Sequence, residues 1–418
     1  MKTFKKHYEA NKNVISNFSS LSIIQLVNLL LPFIIMPFLI DALGSYNYGL
    51  VIFVQVMVSY FSVFINFGFD ISATKQISLN RYIPDGLSRV FTSVIFAKSF
   101  LFLCCIPFLL ILYFYIPALS VNKKLFLFSS MILLVEVLNP ICFFQGIEKM
   151  NYLTYINLLS KSISTILIFA FINSESDYFL VPLMFNSAGI IGNSLGVIII
   201  WKIEKVHFTA VSKGAIYEEI MRSFPFFFSK ASSLILTKTN NLILGFYVGY
   251  SSVAFYDVAE KIVGALIIPF NMLNQAIFPG VSVSKDMKFL KKIIILSFVV
   301  SIVVYLILIG FSDIILQFLG GNEFVEQKNV LYVFGITIII VNLIYLLSTS
   351  LIIHGFIKQY SFAIIISMII YLLMLAFLIQ INLLSIENLI FLKVGSDMCS
   401  LLYLVYINKK KLNHKDEI

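Results

Sequence analysis

Twelve long apolar runs joined by short polar segments fill this chain, at about 17–40, 46–68, 90–116, 124–144, 152–172, 178–201, 223–247, 252–280, 290–317, 329–353, 360–380 and 387–407. Each is close to the roughly 20 apolar residues that a helix needs to cross the hydrocarbon core of a bilayer. No water reaches a backbone amide there, so a crossing segment must satisfy its hydrogen bonds within itself, as a helix does. The expected fold is therefore all-α and integral to a membrane, with about twelve transmembrane helices. Composition agrees. Hydrophobic residues make up 60% of the chain and charged residues 12%, against about 25% charged in soluble domains. Mean hydropathy is +0.96. So few charges cannot clothe a water-facing surface.

The net charge of +9 belongs with the membrane surface and not with nucleic acid, because most basic residues flank apolar runs. If the N-terminus is cytoplasmic, twenty-one lysines and arginines fall inside, among them Lys2, Lys5, Lys75, Arg81, Lys149, Lys202, Lys285 and Lys415. Only Lys123, Lys124 and Lys328 fall outside. That bias predicts both termini in the cytoplasm. The basic stretch MKTFKKHYEANKN leads into a long apolar run with no A-x-A pattern, which reads as a first anchor and not a cleaved signal peptide. Cys104, Cys105, Cys142 and Cys399 all sit inside apolar runs and read as small core residues, without a disulfide framework.

The polar stretch 202–222 divides the chain into halves, with one six-helix lobe at 1–201 and another at 223–418. The halves resemble each other. LGSYNYGLVIFVQVMVSYFSVFINFGFD from Leu43 aligns with VGYSSVAFYDVAEKIVGALIIPFNMLNQ from Val248, so that Gly44 meets Gly249 and Asn66 meets Asn271. FFQGIEKMNY near Gly146 aligns with IIHGFIKQY near Gly355. Six spans per half is an even number, so both halves enter from the same side. That makes a parallel repeat of the kind found in secondary transporters, where the substrate path runs between the halves.

Polar residues form stripes on the expected helices. Gln55, Ser59, Ser62, Asn66 and Asp70 share a face of span 2 at 100° per residue. In span 8 the equivalent face holds Glu260, Asn271 and Gln275, flanked by Asp257 and Lys261. Lys230, Ser233, Thr237 and Asn241 share a face of span 7, with Lys238 nearby. Lipid penalises such faces, so they are expected to look onto protein or water. Lys98, Lys161 and Glu136 lie in spans 3, 5 and 4. Lys393 and Asp397, four residues apart in span 12, are spaced for a structural ion pair. Six intramembrane lysines outnumber four acids, Glu136, Asp257, Glu260 and Asp397. A charge in a span costs at least about 2.5 kcal/mol on insertion scales. The surplus suggests a water-filled cationic cavity suited to an anionic substrate, since lysine binds phosphate as a point charge.

No ATP-binding loop, H-E-x-x-H or G-x-S-x-G motif is present, and no Cys/His spacing suggests a metal. No catalytic residue and no cofactor is expected. Energy would come from an ion gradient such as H+ or Na+, from the substrate gradient, or from a partner. Glu260 is the first candidate for a coupling carboxylate, with Asp257, Glu136 and Asp70 beside it.

ALGSYNYGL, NFGFDISATKQIS, FFQGIEKMNYLTYINLLSKS and FYDVAEKIVGALIIPFNMLNQAIFP resemble the bacterial polysaccharide exporters. More narrowly they resemble the O-antigen flippases (Wzx type) of the multidrug/oligosaccharidyl-lipid/polysaccharide flippase superfamily, over the whole chain in length and span count. The resemblance implies a V-shaped bundle of two lobes in the bacterial inner membrane that alternates between inward and outward openings. It implies an undecaprenyl-diphosphate-linked oligosaccharide moved from the cytoplasmic to the periplasmic leaflet, its lipid tail remaining among membrane lipid. An O-antigen polymerase and the chain-length machinery would be partners. On this reading Lys230, Lys238 and Lys261, with Lys98 and Lys161, contact the anionic head group. Gln55, Asn66, Asn241, Asn271 and Gln275 would meet sugar hydroxyls. A multidrug exporter of the same superfamily would share the fold, but the lysine surplus argues against its cationic substrates. A lipid II flippase usually carries extra spans. A membrane-embedded O-antigen polymerase or ligase usually carries a large periplasmic loop, and the outside loops here are short.

Overall fold

The computed structural model describes residues 2–284 and 287–413, with side chains over 23–278, 281–282, 287–356, 359 and 362–410. Lys285 and Lys415, counted above among the inside cations, lie outside the described residues, as do the side chains of Lys2 and Lys5. Helix α1 is Lys2–Asn66, α2 Phe69–Leu79, α3 Pro84–Tyr115 and α4 Pro117–Val121. Three short helices follow, α5 (Lys123–Ser130), α6 (Ile132–Leu138) and α7 (Ile141–Gly146). Next come α8 (Met150–Phe171), a 3-10 turn (Glu175–Phe179) and α9 (Leu180–Lys202). Beyond the loop 203–212 lie α10 (Lys213–Tyr247), α11 (Tyr250–Ser284), α12 (Met287–Gly320) and α13 (Asn322–Val325). The chain ends with α14 (Lys328–Ile353), α15 (Ile357–Gln380) and α16 (Ile386–Asn413). No strand occurs among the described residues.

Each of the twelve expected spans falls on these helices. Among the described residues nine segments are long and apolar enough to cross a membrane. The first, Ile23–Leu79, covers 57 residues, far more than one crossing needs, and it breaks at Gly44, where φ is 74° and ψ 163°. Helices α10 and α11, 35 residues each, lie outside those nine and carry the polar stripes. Gly249 at the α10–α11 joint has φ 137°. The two glycines that the repeat aligns thus both stand at a helix joint with positive φ, where a side chain is disfavoured.

The chain forms two compact units, Met1–Lys238 and Thr239–Ile418. The division falls inside α10, beyond the 202–222 stretch, and local packing accounts for it. Phe67 stacks on Phe227 at 4.6 Å with an interplanar angle of 8°. The hydroxyls of Ser72 and Ser223 are hydrogen-bonded. The loop after α9 runs along α3, where the His207 and Thr209 amides donate to Ser88 Oγ (3.3 Å) and Thr92 Oγ1 (3.2 Å).

In the N-terminal unit α8 packs along α9 through small residues. A Cβ on Gly192 would stand 3.2 Å from Ile156 O, and one on Gly196 2.9 Å from Ile156 Cδ1, which is the close approach that membrane helices use when lipid supplies no hydrophobic drive between them. In the C-terminal unit α14 packs against α11, α12 and α16. Buried Asn342 ties it to α12, accepting from Ser297 Oγ (2.9 Å) and donating to Ser297 O (3.0 Å). Large apolar side chains such as Leu296, Phe318 and Leu373 are exposed, as a lipid-facing surface requires. The protein is a multi-pass membrane protein.

Candidate functional site

Span 4 is not one helix. It breaks at Met131 and again at Asn139–Pro140. Pro140 has no N–H, so Glu136 O loses its normal i+4 donor and keeps only a 3.3 Å bond from the Asn139 amide; in lipid its remaining acceptor capacity, and that of Asn139 O, call for a further donor. Lys98 supplies it. Its ammonium donates to Glu136 O at 3.0 Å and to Asn139 O at 3.3 Å, and stands 3.7 Å from Glu136 Oε1. Two asparagines of α9 serve the rest of the break: Asn186 Nδ2 donates to Phe128 O and Asn193 Nδ2 to Val135 O, each at 2.8 Å. Lys98 is 1% exposed. The structure therefore puts Lys98 in the wall, where it satisfies a broken helix, and not on a ligand-facing surface.

From Glu136 a chain of polar contacts crosses the N-terminal unit. Asn66 Nδ2 donates to Glu136 Oε1 at 2.6 Å. Asn66 Oδ1 accepts from the Gly68 amide (3.2 Å) and from Lys230 Nζ (3.0 Å). Lys230 in turn forms an ion pair with Asp70. Local backbone makes this geometry. The chain turns between α1 and α2 through Phe67 (φ 47°) and Gly68 (φ 82°), which points Asn66 and Asp70 toward α10. A Cβ on Gly68 would lie 2.5 Å from Phe226 Cβ, so only glycine permits that approach. Asp70 Oδ1 is buried and has no hydrogen-bond partner among the described residues.

The C-terminal unit holds its own polar interior. Asn240 Nδ2 donates to Tyr256 Oη (3.0 Å), and Tyr371 Oη donates to Asn240 Oδ1 (2.6 Å). Asn241 Nδ2 donates to Glu260 Oε2 at 3.4 Å. Lys261 pairs with Asp257 at 2.6 Å and Lys393 with Asp397 at 2.9 Å, each at i, i+4. Gln275 Nε2 donates to Asn271 Oδ1 at 3.2 Å.

Four intramembrane lysines thus have carboxylates beside them, and the surplus read from composition is largely cancelled pair by pair. The pairs are not symmetric. Side-chain exposures of lysine and acid are 30% and 23% for Lys230–Asp70, 31% and 4% for Lys261–Asp257, and 16% and 11% for Lys393–Asp397. Lys98–Glu136 is reversed at 1% and 16%. In three of four pairs the accessible partner is the cation. Lys161 and Lys238 are half-buried, on α8 and α10, and Gln55 is half-buried on α1. No partner reaches the Lys161 ammonium among the described residues.

Sequence reasoning did not single out Asn186, Asn193, Asn240, Tyr256 or Tyr371. Pro140 inside an apolar run, with asparagines in the run that packs on it, was the available signal for the first two.

The profile of the family described as "Polysaccharide biosynthesis protein" matches residues 14–285. The protein named "Putative O-antigen transporter" from Escherichia coli (strain K12) is 28% identical over 308 residues, 73% of each chain. Among solved structures, the lipid II flippase MurJ in an inward closed conformation superposes with a TM-score of 0.76 at 16% identity, over 93% of this chain and 87% of that one. The inward-facing conformation of a multidrug resistance MATE family transporter of the MOP superfamily gives 0.73 at 13% identity, over 96% and 99%. At these identities the structural likenesses bear on the fold alone.

Proposed function

The chain belongs to the polysaccharide biosynthesis protein family, and from that premise we propose that it is a flippase for a lipid-linked oligosaccharide. The cargo is an O-antigen repeat unit on undecaprenyl diphosphate, carried across the bacterial inner membrane from the cytoplasmic leaflet by alternating access. The observation that carries this reading is the asymmetry of the buried pairs: Lys230 and Lys261 are each more exposed than the acid they pair with. A diphosphate meets ammonium groups held in place by their acids, and sugar hydroxyls meet Gln55 in the one unit or Asn271 and Gln275 in the other, whereas Asn66 and Asn241 are 8% and 0% exposed and serve their buried neighbours. Lys238 and Lys161 are further cations for the head group. The name of the E. coli relative agrees with this cargo.

Coupling to H+ or Na+ is part of the same proposal. Asp70 Oδ1 is a buried acceptor without a partner among the described residues, and a proton or cation would satisfy it. Glu260, Asp257 and Glu136 are the other coupling candidates.

The test uses a strain that lacks its own O-antigen transporter and depends on this protein for surface polysaccharide. Lys230→Ala and Lys261→Ala should each cut surface polysaccharide at least tenfold at unchanged protein level. Lys230→Ala/Asp70→Asn, which removes the pair and its charge together, should stay inactive. Normal export by both single variants, or recovery in the double variant, sinks the assignment and leaves the lysines as structural.

A further inference from the structure

A cavity of about 280 Å³ lies in the N-terminal unit away from the polar chain, lined among others by Arg81, Tyr82, Lys149, Glu204 and Lys205. These residues come from the segment after α2, the α7–α8 link and the segment after α9. Two of the four non-glycine residues with positive φ among the described residues stand on its turns, Glu148 (59°) and Lys205 (55°). Glu148 closes α7, where the Lys149 amide donates to Phe144 O (2.9 Å) and the Glu148 amide to Gln145 O (3.1 Å). That turn usually takes glycine at the Glu148 place. Lys205 sits in the turn closed by the Val206 amide on Ile200 O at 3.2 Å. Left-handed backbone at a charged residue is costly and gathers at functional positions.

The charges are organised. Arg81 Nη1 is 2.7 Å from Glu148 Oε2. Lys149 Nζ donates to both Glu204 carboxylate oxygens at 2.6 and 2.7 Å. Each acid is thereby matched to one cation, and Lys205 has no ion pair among the described residues. Cations at helix C-termini also answer the helix dipole, but that role needs neither a cavity nor a strained backbone at Lys205. The rest of the lining is apolar or aromatic, Tyr82, Pro84, Leu87, Phe143, Ile147 and Val206, and exposed Tyr82 is flanked in sequence by exposed Ile83, as Glu204 is by exposed Ile203. Cations beside aromatic and aliphatic side chains match the chemistry of a membrane interface, phosphate at the headgroup level and acyl chains beyond.

We propose that this cavity binds the headgroup phosphate of an anionic phospholipid of the surrounding membrane, with Lys205 and the free edge of the Arg81 guanidinium as its cations. The proposal does not rest on the transport reading.

The test needs no label, because Trp201, the single tryptophan, stands in the last turn of α9, four residues before Lys205. The full chain is placed in vesicles of phosphatidylcholine with a fixed share of phosphatidylglycerol, with one lipid or the other brominated on its acyl chains. Brominated phosphatidylglycerol should quench Trp201 more strongly than brominated phosphatidylcholine at equal mole fraction. Lys205→Gln should lower that preference about fivefold, the factor given by about 1 kcal/mol per interfacial cation. Lys205→Gln/Arg81→Gln should abolish it. Lys205 is exposed, so the single variant carries the test if the double variant loses its emission maximum or gel-filtration profile. Equal quenching by both lipids, or a preference that survives Lys205→Gln unchanged, overturns the proposal. So does loss of the preference on adding inorganic phosphate or a trace of polyprenyl diphosphate, which would assign the cavity to a free anion or to the cargo.

Discussion

Replacing Lys98 with methionine should destabilise the protein by about 3–5 kcal/mol, the usual cost of removing one partner from a buried ion pair. The structure divides that figure. Two carbonyls, Glu136 O and Asn139 O, lose a side-chain donor. Polar contacts between membrane helices average about 0.6 kcal/mol each, because the unfolded chain in the membrane also finds partners, so these account for about 1 kcal/mol. The remainder is the Glu136 carboxylate, left with Asn66 at 2.6 Å and no cation at 3.7 Å. Adding Glu136→Gln removes that charge and keeps an acceptor for Asn66. Lys98→Met/Glu136→Gln should therefore recover about 2 kcal/mol or more and settle near 1–2 kcal/mol below wild type. Unfolding free energies from SDS titration of the purified protein in mixed micelles measure all three variants. A Lys98→Met loss below about 1 kcal/mol, or a double variant no more stable than the single one, would refute the assignment of Lys98 as the satisfier of the span-4 break.

Gly68→Ala and Gly355→Ala impose nearly the same backbone strain, φ 82° and 83°, but differ in room: nothing lies within 4 Å of a Cβ on Gly355. Gly355→Ala should cost about 1–2 kcal/mol, and Gly68→Ala a further 1–3 for overpacking against Phe226; equal shifts in apparent Tm would contradict the close approach of α10. Glu219, on α10 ahead of span 7, is 5% exposed, and burial raises its carboxyl above the usual 4.5, with Arg222 the largest opposing influence. A raised carboxyl pKa means that the folded state holds the proton more tightly than the unfolded one, so this group's contribution to stability is full below about 4.5 and is lost as pH rises through the folded value. Glu219→Gln should raise Tm at neutral pH and flatten its decline as pH rises; an unchanged pH profile would count against burial of that carboxyl.

Helix class was legible in the residue pattern because it follows from one-body energies. Each apolar side chain prefers lipid regardless of its neighbours, and summed hydropathy marks nine segments among the described residues, leaving out α10 and α11, whose polar stripes lower it. The i, i+4 pair Lys393–Asp397 was legible for a similar reason, since helical periodicity puts the partners on one face. The repeat was legible through Gly44 and Gly249, whose positive φ restricts which residues can stand there. The polar interior was not. Asp70 and Lys230 are 160 residues apart, and Lys98 donates to a carbonyl 38 residues away; no local period brings such groups together.

From the order of its residues alone the chain was committed to crossing a membrane repeatedly as helices, because hydrocarbon offers the backbone no other partner. Which buried lysines are spent on neighbouring carbonyls and carboxylates, and which keep an accessible face, was decided only by tertiary packing: the break at Pro140 creates the demand that Lys98 meets, and the bare backbone of Gly68 lets α10 come close enough for Lys230 to reach Asp70. A charge count cannot distinguish these cases, since pairing depends on distance and not on composition.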